Sequence, residues 1–253
     1  MDKYNITLVQ PRDYPYSQSF YEAMELFYYA LNQLGYDTKM SVNYVSDKHI
    51  NIIFGAHLLS LKSEIGKHII IFQTEDLSIH HPWRNVMLDN IQFAKEVWDY
   101  SSENFPYYKH LNVVSKVVKF KYQQELDRIP FRLEKDINVL FYGVVSPRRR
   151  AILDSIADLK PVYPAVAWGN IRDNLIARSK AVICMGVHKF APENELVFRY
   201  HYLYNNCVCV LHEKTPKEIR DTINSDLWKR LAGSAYTGFC NYPMAKYLDK
   251  EIL

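Results

Sequence analysis

Residues 137–150, INVLFYGVVSPRRR, carried on through residues 151–159, limit the folds open to this chain more than any other stretch. They read as a buried strand, a turn over residues 143–147, and a helix that begins at three arginines. Val139, Leu140 and Phe141 form a continuous apolar run, as a strand covered on both faces requires. Pro147 suits the first turn of a helix, and Ser146 is a fitting N-cap before it. A helix N-terminus presents free N–H groups and partial positive charge, so it attracts anions, phosphates in particular. Arg148, Arg149 and Arg150 add full charges at an end where the dipole favours carboxylates instead. Two readings explain that conflict: a solvated basic turn, or an anionic ligand at the carboxyl end of the strand.

The same alternation runs along the whole chain. Residues 6–9 read as a first strand and 15–35 as a helix, in which Phe20, Met24, Phe27, Tyr28, Leu31 and Leu34 keep the helical period. Ser17 or Ser19 would cap its start and Gly35 its end. Residues 38–45, 49–54, 67–72, 96–100 and 113–122 read as further strands, with 84–93 helical among them. Residues 126–135, charged and interrupted by Pro130, are expected to be a linker. Beyond the opening stretch, 162–168, 181–185 and 207–211 read as strands, and 171–178 and 195–204 as helices. Thr215, Pro216 and Glu218 then open a helical tail with the signature of a capping box. Strands alternating with helices argue α/β architecture with parallel sheets. The expectation is an N-terminal domain over 1–125 and a C-terminal domain with the helical tail over 136–253, the two facing each other.

Composition removes several classes. The chain has 253 residues and a net charge of +3, compatible with a polyanionic partner without requiring one. Four cysteines, three of them in strand-like runs, lack metal-ligand spacing and read as buried thiols. The first residues lack the layout of a signal peptide, and no apolar run approaches the ~20 residues of a membrane span, so a cytoplasmic location is expected. No two glycines stand two positions apart, which disfavours the dinucleotide fingerprint, and there is no P-loop or G-x-S-x-G elbow. No two aspartates stand at i and i+2. His80 and His81 are adjacent, so their side chains diverge, and they read as a surface loop rather than a metal site. With no metal expected, arginines and helix N-termini must stabilise any departing phosphate.

In open α/β sheets ligands bind outside the carboxyl ends of the strands. The residues there are His57, Glu75, Asp99, Gly143 to Arg150, His188, and His212 with Glu213. Tyrosine is abundant at 20 residues, and its ring offers stacking surface with a polar tip, weak support for a sugar or base site.

Residues 138–153, NVLFYGVVSPRRRAIL, resemble the strand-turn-helix that opens the C-terminal domain of a group of bacterial and phage GT-B glycosyltransferases. The likeness continues through 172–188 and 195–213, and includes 54–57 (FGAH), 71–77 (IFQTEDL) and 97–101 (VWDYS) in the first half. Met185, Gly186 and residues 189–194 depart from the group's common sequence. The resemblance implies a GT-B fold of two Rossmann-like domains, with the sugar nucleotide on the C-terminal domain and the acceptor on the N-terminal one. It implies a metal-independent enzyme with a UDP- or GDP-linked co-substrate and no other cofactor. Glu195 and Arg199 fall on the helix that in this group faces the donor's ribose and diphosphate, and at i, i+4 they share one face. From residues alone they equally form a surface ion pair.

The candidate base for an acceptor hydroxyl is His57 or Glu75, each at a strand end; Asp76 and Asp99 are weaker candidates, and each also has a structural reading. Gly55 would let a ligand approach His57 closely. For the departing diphosphate the candidates are Gly143, Arg148, Arg149, Arg150 and Arg199, with Arg148 first choice for the inward-pointing arginine of the helix. His188 and Glu213 are further donor-site candidates, and Trp168 and Tyr142 would stack on a base or simply fill the core. The expected partners are a nucleotide sugar and a glycan acceptor. Hydroxymethylated bases of phage DNA are the alternative acceptor, and a non-catalytic sugar-nucleotide-binding module the alternative class.

Overall fold

The computed structural model describes residues 2–78, 82–186, 197–212 and 214–253. His80, His81, His188, Glu195 and Glu213, all singled out above, lie outside the described residues. Contacts divide the chain into two compact units, Met1–Phe120 with Pro243–Leu253, and Lys121–Tyr242.

The first unit holds strands β1 (Lys3–Leu8), β2 (Asp37–Val42), β3 (Ile50–Phe54), β4 (Ile69–Gln73), β5 (Glu96–Asp99) and β6 (Val114–Val117). They form one parallel sheet in the order β2-β1-β3-β4-β5-β6. Helices α1 (Tyr21–Gln33), α2 (Pro82–Ile91) and the single turn α3 (Phe105–Tyr108) belong to it. Both faces of the sheet are covered, which is why its central strands read as unbroken apolar runs. On one face Phe27 of α1 meets Phe54, Phe72, Trp98 and Phe120, and Phe54 stacks on Phe72 at 4.7 Å. On the other, Ile53, Ile69, Ile71 and Val97 pack with Met87, Ile91 and Tyr108. A 3-10 turn over Pro15–Phe20 precedes α1, and neither Ser17 nor Ser19 caps it. Gly35 does close the helix, at φ +88°: Gly35 N–H donates to Asn32 O and Tyr36 N–H to Leu31 O, a Schellman pair.

The second unit holds β7 (Ile137–Leu140), β8 (Ser179–Cys184) and β9 (Val210–His212), parallel in that order. Helices α4 (Pro147–Ser155), α5 (Gly169–Arg178), α6 (Val197–Asn205), α7 (Pro216–Ile223) and α8 (Leu227–Cys240) accompany them. Val139, Phe141, Ile183 and Leu211 pack with Leu153, Ile219, Ile223 and Trp228. Ser146 Oγ accepts from Arg149 N–H at the start of α4, and Thr215 and Glu218 complete the capping box of α7.

Three expectations fail. Residues 162–168 are not a strand. Val162 alone pairs beside β7, donating to Val139 O and accepting from Phe141 N–H, because Pro161 and Pro164 on either side lack the N–H groups a ladder needs. Residues 126–135 are not a free linker. Asn206 Oδ1 accepts from the N–H groups of Arg128 and Ile129 while its amide donates to Leu126 O, and Asn205 exchanges two bonds with the backbone of Gln123. Two asparagines at the end of α6 therefore fix this segment to the second unit. The tail does not stay with the second half: α9 (Met244–Tyr247) and the turn Leu248–Ile252 join the first unit. There Tyr247 accepts from Lys119 N–H and donates to Val117 O, and Lys116 donates to Ile252 O.

Candidate functional site

Each sheet has a point where the chain leaves one strand to opposite sides, the place where ligands bind in open α/β sheets. In the first unit it lies between β1, whose successor β2 pairs on one side, and β3, on the other. Gly55 carries the chain out of β3 at φ +76°, and a Cβ there would stand 3.1 Å from Val9 O. This glycine is required both by conformation and by the close approach of the β1 end. His57 follows, 3% exposed. Its Nε2 lies 3.4 Å from Glu75 Oε1 and its Nδ1 3.4 Å from Thr74 Oγ1.

Glu75 leaves β4 in a turn held by the buried Gln73 side chain, which accepts from Glu75 N–H and donates to Glu75 O. Burial pushes the Glu75 carboxyl up to about 7, against the opposing hydroxyl of Thr74, while 32% of the side chain stays open to solvent. Such a carboxylate both binds and releases a proton near neutrality, the property required of a general base. Asp76 accepts from Ser78 N–H and turns the chain. Asp99 is wholly buried, accepting from Ser101 N–H, the Asn104 amide and the Tyr108 hydroxyl, and burial raises it to about 7 as well. With its oxygens so engaged it holds the loop after β5; Asn104 passes that order on by donating to Glu75 O.

In the second unit the split is at β7, with Val162 on one side and β8 on the other. Gly143 leaves β7 at φ +127°, and a Cβ there would meet Arg199 Nη2 at 3.1 Å. Of the three arginines, Arg149 is the buried one, at 5% exposure. The reason is helical phase: Arg149 lies four residues before the core residue Leu153 and shares its face. Its guanidinium donates to Met185 O, Gly186 O and Val144 O and so ties the exits of β7 and β8 together. Arg148 donates to Gly186 O, while Arg150 points out onto the Tyr163 ring and hydroxyl.

Arg199, in the first turn of α6, lies over the rings of Tyr142 (4.7 Å) and Phe141 (5.8 Å) and beside Cys184. Burial raises that thiol to about 11, so it presents no anion to the guanidinium. Arg199 Nη1 is buried with no hydrogen-bond partner among the described residues. A buried cationic N–H without a partner carries a desolvation cost that an arriving anion relieves. His212 Nε2 at the end of β9 and Trp168 Nε1 before α5 are likewise buried without a partner.

Sequence reasoning passed over Tyr14, Tyr16 and Trp83. Trp83 lies 5.2 Å from the His57 ring, and Tyr14 bridges Trp83 (6.3 Å) and Tyr16 (5.4 Å). Each has a proline beside it and lies in a segment that follows a strand of the sheet.

No protein-family model matches the chain. Uncharacterized protein L140 of Acanthamoeba polyphaga mimivirus is 28% identical over 175 residues, covering 66% of this chain and 55% of that protein. The chain thus spans about half the length of the curated relative it matches. Among solved structures, AviGT4, a glycosyltransferase involved in avilamycin A biosynthesis, superposes with a TM-score of 0.55 at 12% identity, covering 99% of this chain and 97% of that one. The likeness shows that the chain shares a glycosyltransferase's fold. No helix among the described residues is long and apolar enough to cross a membrane.

Proposed function

We propose that this chain is a GT-B glycosyltransferase that moves a sugar from a nucleoside-diphosphate donor to an acceptor hydroxyl. The observation that carries the reading is Arg199. Its buried, unpartnered N–H stands beside a glycine exit at the split of a parallel sheet, a place suited to a diphosphate oxygen. The fold shared with AviGT4 supports the same reading. In it the second unit binds the donor, through Arg199, with Arg149 positioning the two strand exits and Tyr142 beneath the guanidinium. His188, Glu195 and Glu213 remain donor-site candidates on their sequence pattern. The first unit receives the acceptor. Its hydroxyl oxygen attacks the anomeric carbon, the bond from that carbon to the diphosphate oxygen breaks, and the diphosphate leaves with the electron pair. The hydroxyl proton passes to Glu75, with His57 at hydrogen-bonding range to orient the carboxylate. A base in that role suits an inverting transfer. The arginine takes the role a metal would fill in neutralising the leaving group.

The test is a panel of UDP- and GDP-linked sugars assayed for donor hydrolysis and transfer. The reading expects turnover with at least one donor, lost in Arg199→Ala and in Glu75→Gln with the melting temperature retained. Binding of a nucleotide sugar without any turnover would leave a binding module in place of an enzyme.

A further inference from the structure

We infer that Tyr14, Tyr16 and Trp83 form an acceptor subsite for an uncharged sugar ring, which they hold against the His57–Glu75 pair. The inference deepens the transferase reading by naming its acceptor class, and rests on that reading only for the use made of the bound sugar.

The residues converge by topology. Tyr14 and Tyr16 lie in the segment that leaves β1, and His57 in the segment that leaves β3, the two strands that flank the split of the first sheet. Trp83 opens α2 and reaches the same place. The chain of rings is continuous: Tyr16 to Tyr14, Tyr14 to Trp83, Trp83 to His57, with Phe20 edge-on to His57 at 6.3 Å. Its outer members are open, Tyr16 at 43% and Trp83 at 36%, while its inner end is buried. Tyr14 couples the rings to the acid pair: burial, then the charge of Glu75, raise its hydroxyl above the ordinary tyrosine value.

A pyranose has an apolar C–H face and a rim of hydroxyls. An aromatic face, electron-rich and apolar, suits the first; the part-exposed Glu75 carboxyl, with His57 behind it, suits the second. Aromatic rings beside a few convergent polar groups are the common lining of small-ligand sites. Charge argues against nucleic acid. Single-strand binders join stacking rings to a cationic groove. This unit instead has thirteen Lys and Arg against fifteen Asp and Glu, a net charge of −2. Near the rings, Arg12 is 3.9 Å from Asp13, and Arg84 lies over Tyr107. Glu75 and Asp76 would repel a phosphate backbone.

The test is titration of the full chain with maltose, lactose and chitobiose at millimolar concentration, followed by saturation-transfer NMR. The same experiment is run with a hydroxymethylcytosine-containing DNA duplex. In parallel, UDP and GDP are tested by thermal shift, which reads the donor site of the second unit separately. The expected result is saturable binding of at least one saccharide, weakened at least tenfold in both Trp83→Ala and Tyr16→Ala, with the nucleotide shift unaltered. Both side chains are part-exposed, and an unchanged melting temperature shows that each variant folds. The inference is overturned if no saccharide binds, if binding survives both substitutions, or if the duplex binds through these rings with an affinity that collapses as salt rises. Saccharide binding without any nucleotide shift would sink the transferase reading and leave the subsite standing; a nucleotide shift without saccharide binding would do the reverse.

Discussion

The carboxyl ends of the two sheets share a plan and differ in charge. Both begin at a glycine of positive φ that leaves a strand beside the sheet's split, Gly55 in one and Gly143 in the other. The first then gathers His57, Glu75 and Asp99, with two carboxyls raised to about 7 by burial. The second gathers Arg149 and Arg199 and belongs to a unit with eighteen Lys and Arg against thirteen Asp and Glu, a net charge of +5. One end carries carboxyls that hold their protons more tightly than usual, the other guanidinium groups. Within the second end the contrast recurs between two arginines. Arg149 spends its donors on backbone carbonyls, whereas Arg199 keeps a buried N–H without a partner. Burial alone does not distinguish structure from function.

The largest effect is expected from Glu75→Gln, which keeps the shape and removes the base: transfer should fall by about 10²–10⁴. Unchanged turnover would transfer the role to His57 or remove it from this end altogether. Next come the two arginines, and they should separate. Arg149→Met leaves buried carbonyls without donors and should cost about 3 kcal/mol or more in denaturant unfolding. Arg199→Met removes a buried cation with an unmet donor, and stability should hold or rise. Equal losses in the two variants would erase the distinction between them. Gly143→Ala strains a φ of +127° and crowds Arg199 Nη2; about 1–3 kcal/mol is expected, with nucleotide binding weakened alongside.

A smaller effect tests the first sheet by pH. A folded carboxyl near 7 holds a proton that the unfolded chain, titrating near 4, has released. Between those values stability falls as pH rises, by the excess protons of the native state. The stability of the wild type minus that of Glu75→Gln should therefore decline from about pH 4 to pH 7. A flat difference would mean that the Glu75 carboxyl is not held up by burial. The smallest effect is a control: Thr215→Ala loses the capping box of α7 at about 1 kcal/mol and should leave both ends untouched.

Much of this was legible because local rules carried it. The strand, turn and N-cap over residues 137–150, the capping box at Thr215 and the close of α1 at Gly35 depend on neighbours in sequence, and hydrophobic run length marks most strands. What escaped depends on distant partners. Asn205 and Asn206 bind a segment some eighty positions away, which no local pattern of residues 126–135 announces. The return of Pro243–Leu253 to the first unit is likewise tertiary. The strand expected over 162–168 could have been doubted from its two prolines. Among the candidate residues, His57, Glu75 and Gly143 are marked by their place at strand ends, and Arg199 by the resemblance that sets it on one helix face with Glu195. The choice among Arg148, Arg149 and Arg150 needed helical phase, and the rings of Tyr14, Tyr16 and Trp83 needed the fold.

The central claim is that Arg199 is held ready for the diphosphate of a sugar nucleotide. Calorimetric titration of UDP and of GDP into the full chain and into Arg199→Met reads it directly. The account predicts saturable binding of at least one nucleotide, weakened about tenfold to a hundredfold in the variant, as loss of a charge-assisted hydrogen bond implies. Equal binding by the variant and the wild type, or no binding of either nucleotide by the wild type, would contradict it.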